Sequence, residues 1–328
     1  MDTFQALVLD KVEDQTKLEI RHLTMDELPD GEITIRVAYS SVNFKDGLVA
    51  ILNQMVESYP FVPGIDLAGT VINSIDERFK VGEEVIVTSY KLGTGHFGGF
   101  SEIARVPADW VVPLPKGLSL REAMILGTAG FTAGLSIQRL EENGLECSQG
   151  PVLVAGATGG VGSIAVNILA KRGYSVVAST GKSNVETYLK ELGAKRIIHR
   201  NEFIDTDQIP LRKKEWAGAI DPVGGKTLQY ILSTLKYGGS VATSGFTGGQ
   251  EVSTTVLPFI LNGINWLGVD SVYCPMDTRL NVWNRLGADL KPTVLNTEMV
   301  NEISLNELPE ILANILEGKV RGRTLVKL

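Results

Sequence analysis

From residue 5 to residue 104 the apolar residues come in short, mostly alternating runs broken by turn residues. Alternation with period two marks half-buried strands. It predicts strands over 5–9, 18–21, 32–39, 67–72, 84–87 and 100–104. Pro29-Asp30-Gly31, Pro60, Pro63-Gly64 and the stretch from Gly93 to Gly99 separate them. Short strands at this spacing predict a β-rich, barrel-like domain. Beyond Pro113-Leu114-Pro115 a helical pattern runs over 120–138, and from about residue 150 strand and helix patterns alternate. Strands are predicted at 152–155, 175–179, 196–198, 216–220, 239–244 and 264–269, with helices such as 184–192 and 225–236 between them. That alternation implies a parallel sheet, and six strands are the full complement of a doubly wound dinucleotide-binding sheet. A helix over 277–290, a helix over 303–317 opened by Ser304, and a strand over 323–327 complete the chain. The expected division is a β-rich domain of 1–120 with a return over 292–328, and an α/β domain of 121–291.

The composition narrows this picture by exclusion. The 328 residues are 44% hydrophobic and 21% charged, a globular balance. A formal charge of −7 suggests neither a nucleic-acid partner nor a membrane-surface one. Cys147 and Cys274 are far apart and form no paired motif, which fits a reducing cytoplasm. Met1 to Gln5 lack the basic-then-apolar order of a secretory leader, and no apolar run is long enough to span a bilayer.

Candidate chemistry begins after residue 154. Ala157, Gly159 and Gly162 stand at the three positions of the G-x-G-x-x-G fingerprint, with alanine at the first. Gly159 lets the backbone approach a pyrophosphate, and Gly162 lets the helix pack on the strand. A structural glycine turn is the plainer alternative. After the next strand the chain reads Thr180-Gly181-Lys182-Ser183, with no acid to hold a ribose 2′-hydroxyl. A cation there, with Arg200 after the following strand, favours a 2′-phosphate and therefore NADPH. Otherwise Lys182 and Arg200 are solvated surface charges.

Several stretches together resemble a known family. They are Ser41-Val42-Asn43-Phe44-Lys45-Asp46, the run from Pro63 to Val71, the run from Gly127 to Ala133, Gly268 to Val272, and Gly322-Arg323-Thr324-Leu325-Val326. The chain resembles the zinc-independent, quinone-oxidoreductase-like branch of the medium-chain dehydrogenase/reductase superfamily, and within it the NADPH-dependent acrylyl-CoA reductases. The resemblance implies a Rossmann domain beside a GroES-like barrel, and reduction of acryloyl-CoA to propanoyl-CoA. It implies Thr158, Gly159, Gly160 and Val161 at the pyrophosphate, and Thr180, Gly181, Lys182 and Arg200 at the adenosine ribose phosphate. It further implies Phe246, Ile260 and Ser271 at the nicotinamide end, Gly318 at a later edge, and Phe44 among the cofactor contacts. Where close relatives carry tyrosine beside the asparagine, this chain has Phe44, so a hydroxyl is lost.

Zinc alcohol dehydrogenases of that superfamily carry Gly-His-Glu where this chain has Gly64-Ile65-Asp66. His22, His96 and His199 show no ligand spacing with either cysteine, so no metal is expected. The chemistry expected is hydride addition to the β-carbon of an unsaturated thioester, with donors offered to the developing enolate. Asn43 is the first catalytic candidate, as an orienting amide. Asp66 is the second, holding Asn43 or Lys45 rather than donating protons. Tyr90, Lys91 and His96 are weaker candidates. Two other readings stand beside this one: an NADPH:quinone oxidoreductase, and an NADPH-binding sensor or structural protein. The predicted edge strand near 265–269 invites a homodimer.

Overall fold

Along the strand Ile33–Val42 the alternation holds for half its length and then stops. Ile33, Ile35 and Val37 are buried and Arg36 is exposed, although Thr34 is buried too, and Ser40, Ser41 and Val42 are all buried. Buried serines need partners, and the site described below is built where they find them. The computed structural model describes residues 3–13, 15–203, 209–296 and 300–328. Met1 and Asp2, part of the stretch weighed above as a leader, lie outside them.

The chain opens with β1 (Thr3–Val12), β2 (Gln15–Thr24), β3 (Ile33–Val42), α1 (Phe44–Ala50), β4 (Asp66–Ser74), β5 (Glu84–Thr88), β6 (Ile103–Val106) and β7 (Val111–Pro113). Helix α2 (Leu120–Glu142) follows, broken by Gly127, whose φ is +51°. Then come β8 (Val152–Val154), α3 (Gly160–Lys171), β9 (Val176–Thr180), α4 (Glu186–Glu191) and β10 (Arg196–His199). They are followed by β11 (Trp216–Asp221), α5 (Gly225–Thr234), β12 (Leu235–Thr243), α6 (Leu257–Asn262) and β13 (Asn265–Gly268). Last are α7 (Met276–Leu286), β14 (Val300–Ile303), α8 (Leu308–Leu316) and β15 (Arg323–Lys327).

Two compact units result. The first holds 1–128, 275–280 and 295–328, and the second 129–274 and 281–294. In the first, a seven-stranded sheet has the order β14-β15-β3-β4-β5-β7, with β6 also paired to β3. The closing strand β15 runs antiparallel to β3. Ile33, Ile35, Leu67, Val71, Val85 and Val87 form its core. Each such side chain, fully buried, contributes about 1.5–3 kcal/mol. Helix α1 packs on α8 through Gly47, where a Cβ would press on Leu312, Ile315 and Leu316.

In the second unit the sheet is wholly parallel, with the order β10-β9-β8-β11-β12-β13. This is the doubly wound Rossmann order. Strands β8, β9 and β11 are buried at every residue, as central strands covered on both faces must be. Strand β13 instead alternates half-buried with exposed, as fits its edge position.

The structure departs from the expected elements where local contacts intervene. The helix expected from 303 starts at Leu308, because Ile303 still pairs with Val326 and Ser304 caps a 3₁₀ turn with Glu307 first. The strand expected at 100–104 shifts to Ile103–Val106, because Gly99 and Phe100 bond to the 63–64 backbone instead. Strand β12 begins at Leu235, earlier than the expected residue 239.

Candidate active site

In the first unit, the buried end of β3, the start of α1 and the start of β4 meet around one carboxylate. Asp66 is fully buried and accepts four hydrogen bonds. Oδ2 takes Ser41 Oγ at 2.7 Å, Asn43 Nδ2 at 2.7 Å and the Thr128 N–H at 2.9 Å. Oδ1 takes Thr128 Oγ1 at 2.5 Å. Four donors fill the usual capacity of two carboxylate oxygens. Used in this way, Asp66 holds its neighbours in place. Of the two partners expected for it, it holds Asn43; Lys45 is half-buried on α1.

Arg323 of β15 closes the cluster from the other side. It is buried, and Nη2 donates to Ser41 Oγ at 2.9 Å while Nη1 donates to Asn43 Oδ1 at 3.3 Å and to the Val42 carbonyl at 3.1 Å. Its Nε donates to the Ile125 carbonyl at 2.7 Å. Burial pushes the guanidinium below its ordinary value, and the charges of Asp66 and Asp46 oppose that. The Asn43 amide is thus gripped at both ends, oxygen by Arg323 and nitrogen by Asp66.

Asp46 fixes the backbone beneath. Its carboxylate accepts the Asn43 N–H at 2.7 Å and the Ile65 N–H at 2.9 Å. Burial, with the Asp66 charge added, pushes it up to about 7, against the pull of those two donors. By taking the N–H of the residue before α1, Asp46 caps the entry to that helix. The Asn43 side chain is left to reach Asp66.

Thr128 arrives through the break in α2. A Cβ on Gly127 would strike Ser41 Oγ, Asp66 Oδ2 and Arg323 Nη2, and its φ of +51° suits glycine. Thr128 Oγ1 also lies 3.1 Å from Ser89 Oγ. Sequence reasoning missed Ser41, Asp46, Thr128 and Arg323 as site residues, although all four stand in the stretches that carried the resemblance. Nothing in their spacing says that they gather around Asn43 and Asp66.

The other candidates of this unit sit apart from that carboxylate. Phe44 opens α1 with its side chain partly exposed. Both ring nitrogens of His96 face carbonyls, Phe97 at 3.0 Å and Asp30 at 3.2 Å. Lys91 is exposed and lies 4.0 Å from Glu57. Gly318 follows α8 with φ +71°. Among the described residues no group of three or more His, Cys, Asp or Glu is gathered to hold a metal ion.

In the second unit, β8 feeds the glycine loop at the point where the sheet order turns, between β9 and β11. Crevices at the carboxyl ends of such strands are where ligands bind. Gly156 turns the chain with φ +57°, and Gly159 precedes α3, whose first turn no side chain caps. Free N–H groups at a helix start suit a phosphate. Gly162 permits the tight packing: a Cβ there would meet the Gly156 carbonyl and the Ala157 Cα. Thr158 and Thr180 hydroxyls lie 3.3 Å apart, and Thr180 Oγ1 accepts the Lys182 N–H at 3.1 Å. The Arg200 guanidinium rests against Gly181, where a Cβ would collide with it. The loop after β9 and the residue after β10 therefore bring Thr180, Gly181, Lys182 and Arg200 together. These residues fit a dinucleotide carrying an extra phosphate.

Phe246, Ile260 and Ser271 lie on the segments after β12 and β13, with Phe246 and Ile260 exposed. Asp221, not foreseen, ends β11 and accepts the Val223 and Gly224 N–H groups at 3.0 and 3.1 Å. Burial pushes it up to about 6.

Comparison with known proteins agrees with this architecture. Residues 29–116 match the alcohol dehydrogenase GroES-like domain, and residues 160–286 match the zinc-binding dehydrogenase family. The chain is 54% identical to the putative quinone oxidoreductase YhfP of Bacillus subtilis over 99% of each chain. It is 48% identical to the acrylyl-CoA reductase AcuI of Ruegeria pomeroyi over 98% of each. Of solved structures, B. subtilis yhfP with NAD bound superimposes with a TM-score of 0.97 over the full length of both chains. The yhdH oxidoreductase of Salmonella enterica in complex with NADP, 46% identical, gives 0.95 over 99% of both.

Proposed function

This chain belongs to the medium-chain dehydrogenase/reductase superfamily, and on that premise we propose that it is an NADPH-dependent reductase of a small enoyl thioester, turning acryloyl-CoA into propanoyl-CoA. The observation that carries the substrate is near-full-length identity of 48% to an acrylyl-CoA reductase and 46% to a probable one. The cofactor preference rests on Lys182 and Arg200 at the turn after β9, where no acid stands.

Thr158, Gly159, Gly160 and Val161 hold the pyrophosphate, Thr180, Gly181, Lys182 and Arg200 the 2′-phosphate, and Phe44, Phe246, Ile260, Ser271 and Gly318 border the rest. When bound, NADPH supplies the hydride that reduces the β-carbon. Asn43 orients the reacting groups, and Asp66 and Arg323 fix its amide. Pre-set donors and geometry of this kind are worth several kcal/mol in such reactions, about 3–4 for a single well-placed donor.

Single turnover of the enzyme with acryloyl-CoA and NADPH tests the reading: loss of NADPH absorbance is expected, and none at saturating enzyme rejects it. A second reading, NADPH:quinone reduction, is favoured by the name of the 54% identical relative. Turnover on a simple quinone with none on acryloyl-CoA would select it.

Edge strand β13, with Trp266 exposed, and the apolar Ile260 and Leu261 of α6 support a homodimer formed by pairing of β13 across a two-fold axis. No helix among the described residues is long and apolar enough to cross a membrane. Among the described residues neither Cys147 nor Cys274 is in a disulfide, which suits a reducing compartment.

A further inference from the structure

Just after β5 the backbone takes a course that large residues avoid. Ser89 and Tyr90 both have positive φ, 66° and 51°. A bulky residue there is a true outlier, and such outliers gather at functional sites. The Tyr90 ring is packed by two neighbours. It stacks on Trp110 with centroids 5.7 Å apart and planes 7° from parallel. The Arg279 guanidinium lies over the ring at 4.5 Å from its centroid. Arg279 is fully buried, and its Nη1 donates to the Thr88 carbonyl at 3.2 Å and to Thr88 Oγ1 at 3.1 Å. Trp110 is itself met edge-on by His96 at 5.2 Å.

A ring packed in this way is held in one place while its hydroxyl stays available. Tyr90 is half-buried, and its hydroxyl bonds to no described residue. The turn that carries it is tied to the Asn43 cluster, since Ser89 Oγ meets Thr128 Oγ1, which donates to Asp66. The fold has no use for this particular residue. Glycine or asparagine would make the turn without strain, and phenylalanine would fill the stack equally well. What tyrosine adds is an O–H on a ring held by its neighbours, with a cation over that ring. Phe44, the aromatic next to Asn43, has none to give.

We propose that Tyr90 is a catalytic residue whose Oη–H donates a hydrogen bond to the carbonyl oxygen of the unsaturated thioester. The proposal rests on the reading of the reaction given above and names the group that meets the developing charge. In that step a hydride from NADPH forms the new C–H bond at the β-carbon, and NADPH is oxidised by two electrons to NADP⁺. The C=C electron pair shifts, and the carbonyl oxygen becomes an enolate oxygen. Tyr90 keeps its proton throughout. The α-carbon then takes a proton from water, the C=O bond re-forms, and the saturated thioester leaves.

The test is Tyr90→Phe, which preserves ring, stack and turn and removes one O–H. Steady-state reduction of acryloyl-CoA is measured beside NADPH affinity, by fluorescence titration, and Tm. The expected result is a fall in kcat of about 10²–10³-fold, the usual effect of removing one donor to a developing oxyanion. NADPH affinity and Tm stay at wild-type values. A wild-type enzyme that reduces acryloyl-CoA beside an equally fast variant overturns the assignment and leaves the substrate reading intact. So does a loss confined to KM, or one matched by lost NADPH affinity, since either is a packing effect. A wild-type enzyme that binds NADPH but never reduces acryloyl-CoA overturns both.

Discussion

Asn43 Nδ2 donates to Asp66 Oδ2 at 2.7 Å across 23 residues of sequence, and the bond is buried. It is one of four that converge on the same carboxylate, and Arg323 reaches the cluster through Ser41 and Asn43. Asp66→Asn keeps the shape but offers one acceptor oxygen and turns an N–H₂ group toward donors. Arg323 would then sit buried without the Asp66 charge that offsets its burial. Leaving a buried charge uncompensated typically costs about 3–5 kcal/mol. Urea unfolding should show a loss of that order for Asp66→Asn and a smaller one, about 1–3 kcal/mol, for Ser41→Ala. An unshifted urea midpoint in Asp66→Asn would show that the cluster does not stabilise the first unit.

Asp46 gives the fold a pH dependence with a definite sign. Its folded value stands at about 7 against an ordinary 3.8, so the folded chain holds this proton more tightly than the unfolded chain does. The stability it contributes is complete below the ordinary value and is lost as pH climbs through the folded one. Each unit of the difference corresponds to ~1.4 kcal/mol. Asparagine cannot ionise, so Asp46→Asn lacks this slope. Measured by urea unfolding, the advantage of wild type over Asp46→Asn should shrink between about pH 5 and about pH 8. A constant gap over that range would remove Asp46 as the titrating group.

Much of this fold is legible in the chain because burial follows simple periods. Val152, Leu153 and Val154 form a continuous apolar run, as a strand covered on both faces requires, and β8 occupies that run. The glycine loop was readable for the same reason: few side chains fit where Gly162 packs on Gly156. The Asp66 cluster was only half legible. Asn43 and Asp66 stand out as polar residues at strand ends, but Arg323 comes to them from the opposite end of the chain, through pairing of β15 with β3. No local pattern announces a long-range antiparallel register. The break at Gly127 was hidden too, since a glycine within a helical pattern reads first as a weak helix residue. Helix α1 was missed because its seven residues are too few to show a helical period.

Two glycines of the loop should fail in different ways. A Cβ at Gly162 meets the Gly156 carbonyl and the Ala157 Cα, so alanine there forces α3 away from the loop. Overpacking of that kind costs about 1–3 kcal/mol, and Gly162→Ala should lower both Tm and NADPH affinity. At Gly159 φ is −82°, and the one close neighbour of an added Cβ, the Gly156 carbonyl, lies 3.3 Å away. Alanine fits that backbone, yet its methyl group would stand where the pyrophosphate comes closest. Gly159→Ala should therefore weaken NADPH binding with Tm unchanged. Equal Tm losses in the two variants would count against this division of roles.

Lys182 carries the sharpest test of the cofactor, because relatives have been crystallised with different dinucleotides, B. subtilis yhfP with NAD and the S. enterica protein with NADP. In this chain Lys182 follows Gly181, against which the Arg200 guanidinium rests, and the turn from Thr180 to Ser183 contains no acid. A 2′-phosphate adds negative charge that these cations can pair with, whereas a bare 2′-hydroxyl gains little from them. Removing one such contact at an accessible site should weaken NADPH about ten-fold, or ~1.4 kcal/mol. Lys182→Ala should therefore raise the Kd for NADPH by that factor and leave the Kd for NADH nearly unchanged, both read by fluorescence titration. Arg200→Ala should act in the same direction, and the double variant should bind the two cofactors with similar affinity. If Lys182→Ala weakens both equally, the lysine does not touch the 2′-phosphate, and the preference for NADPH must come from elsewhere in the turn.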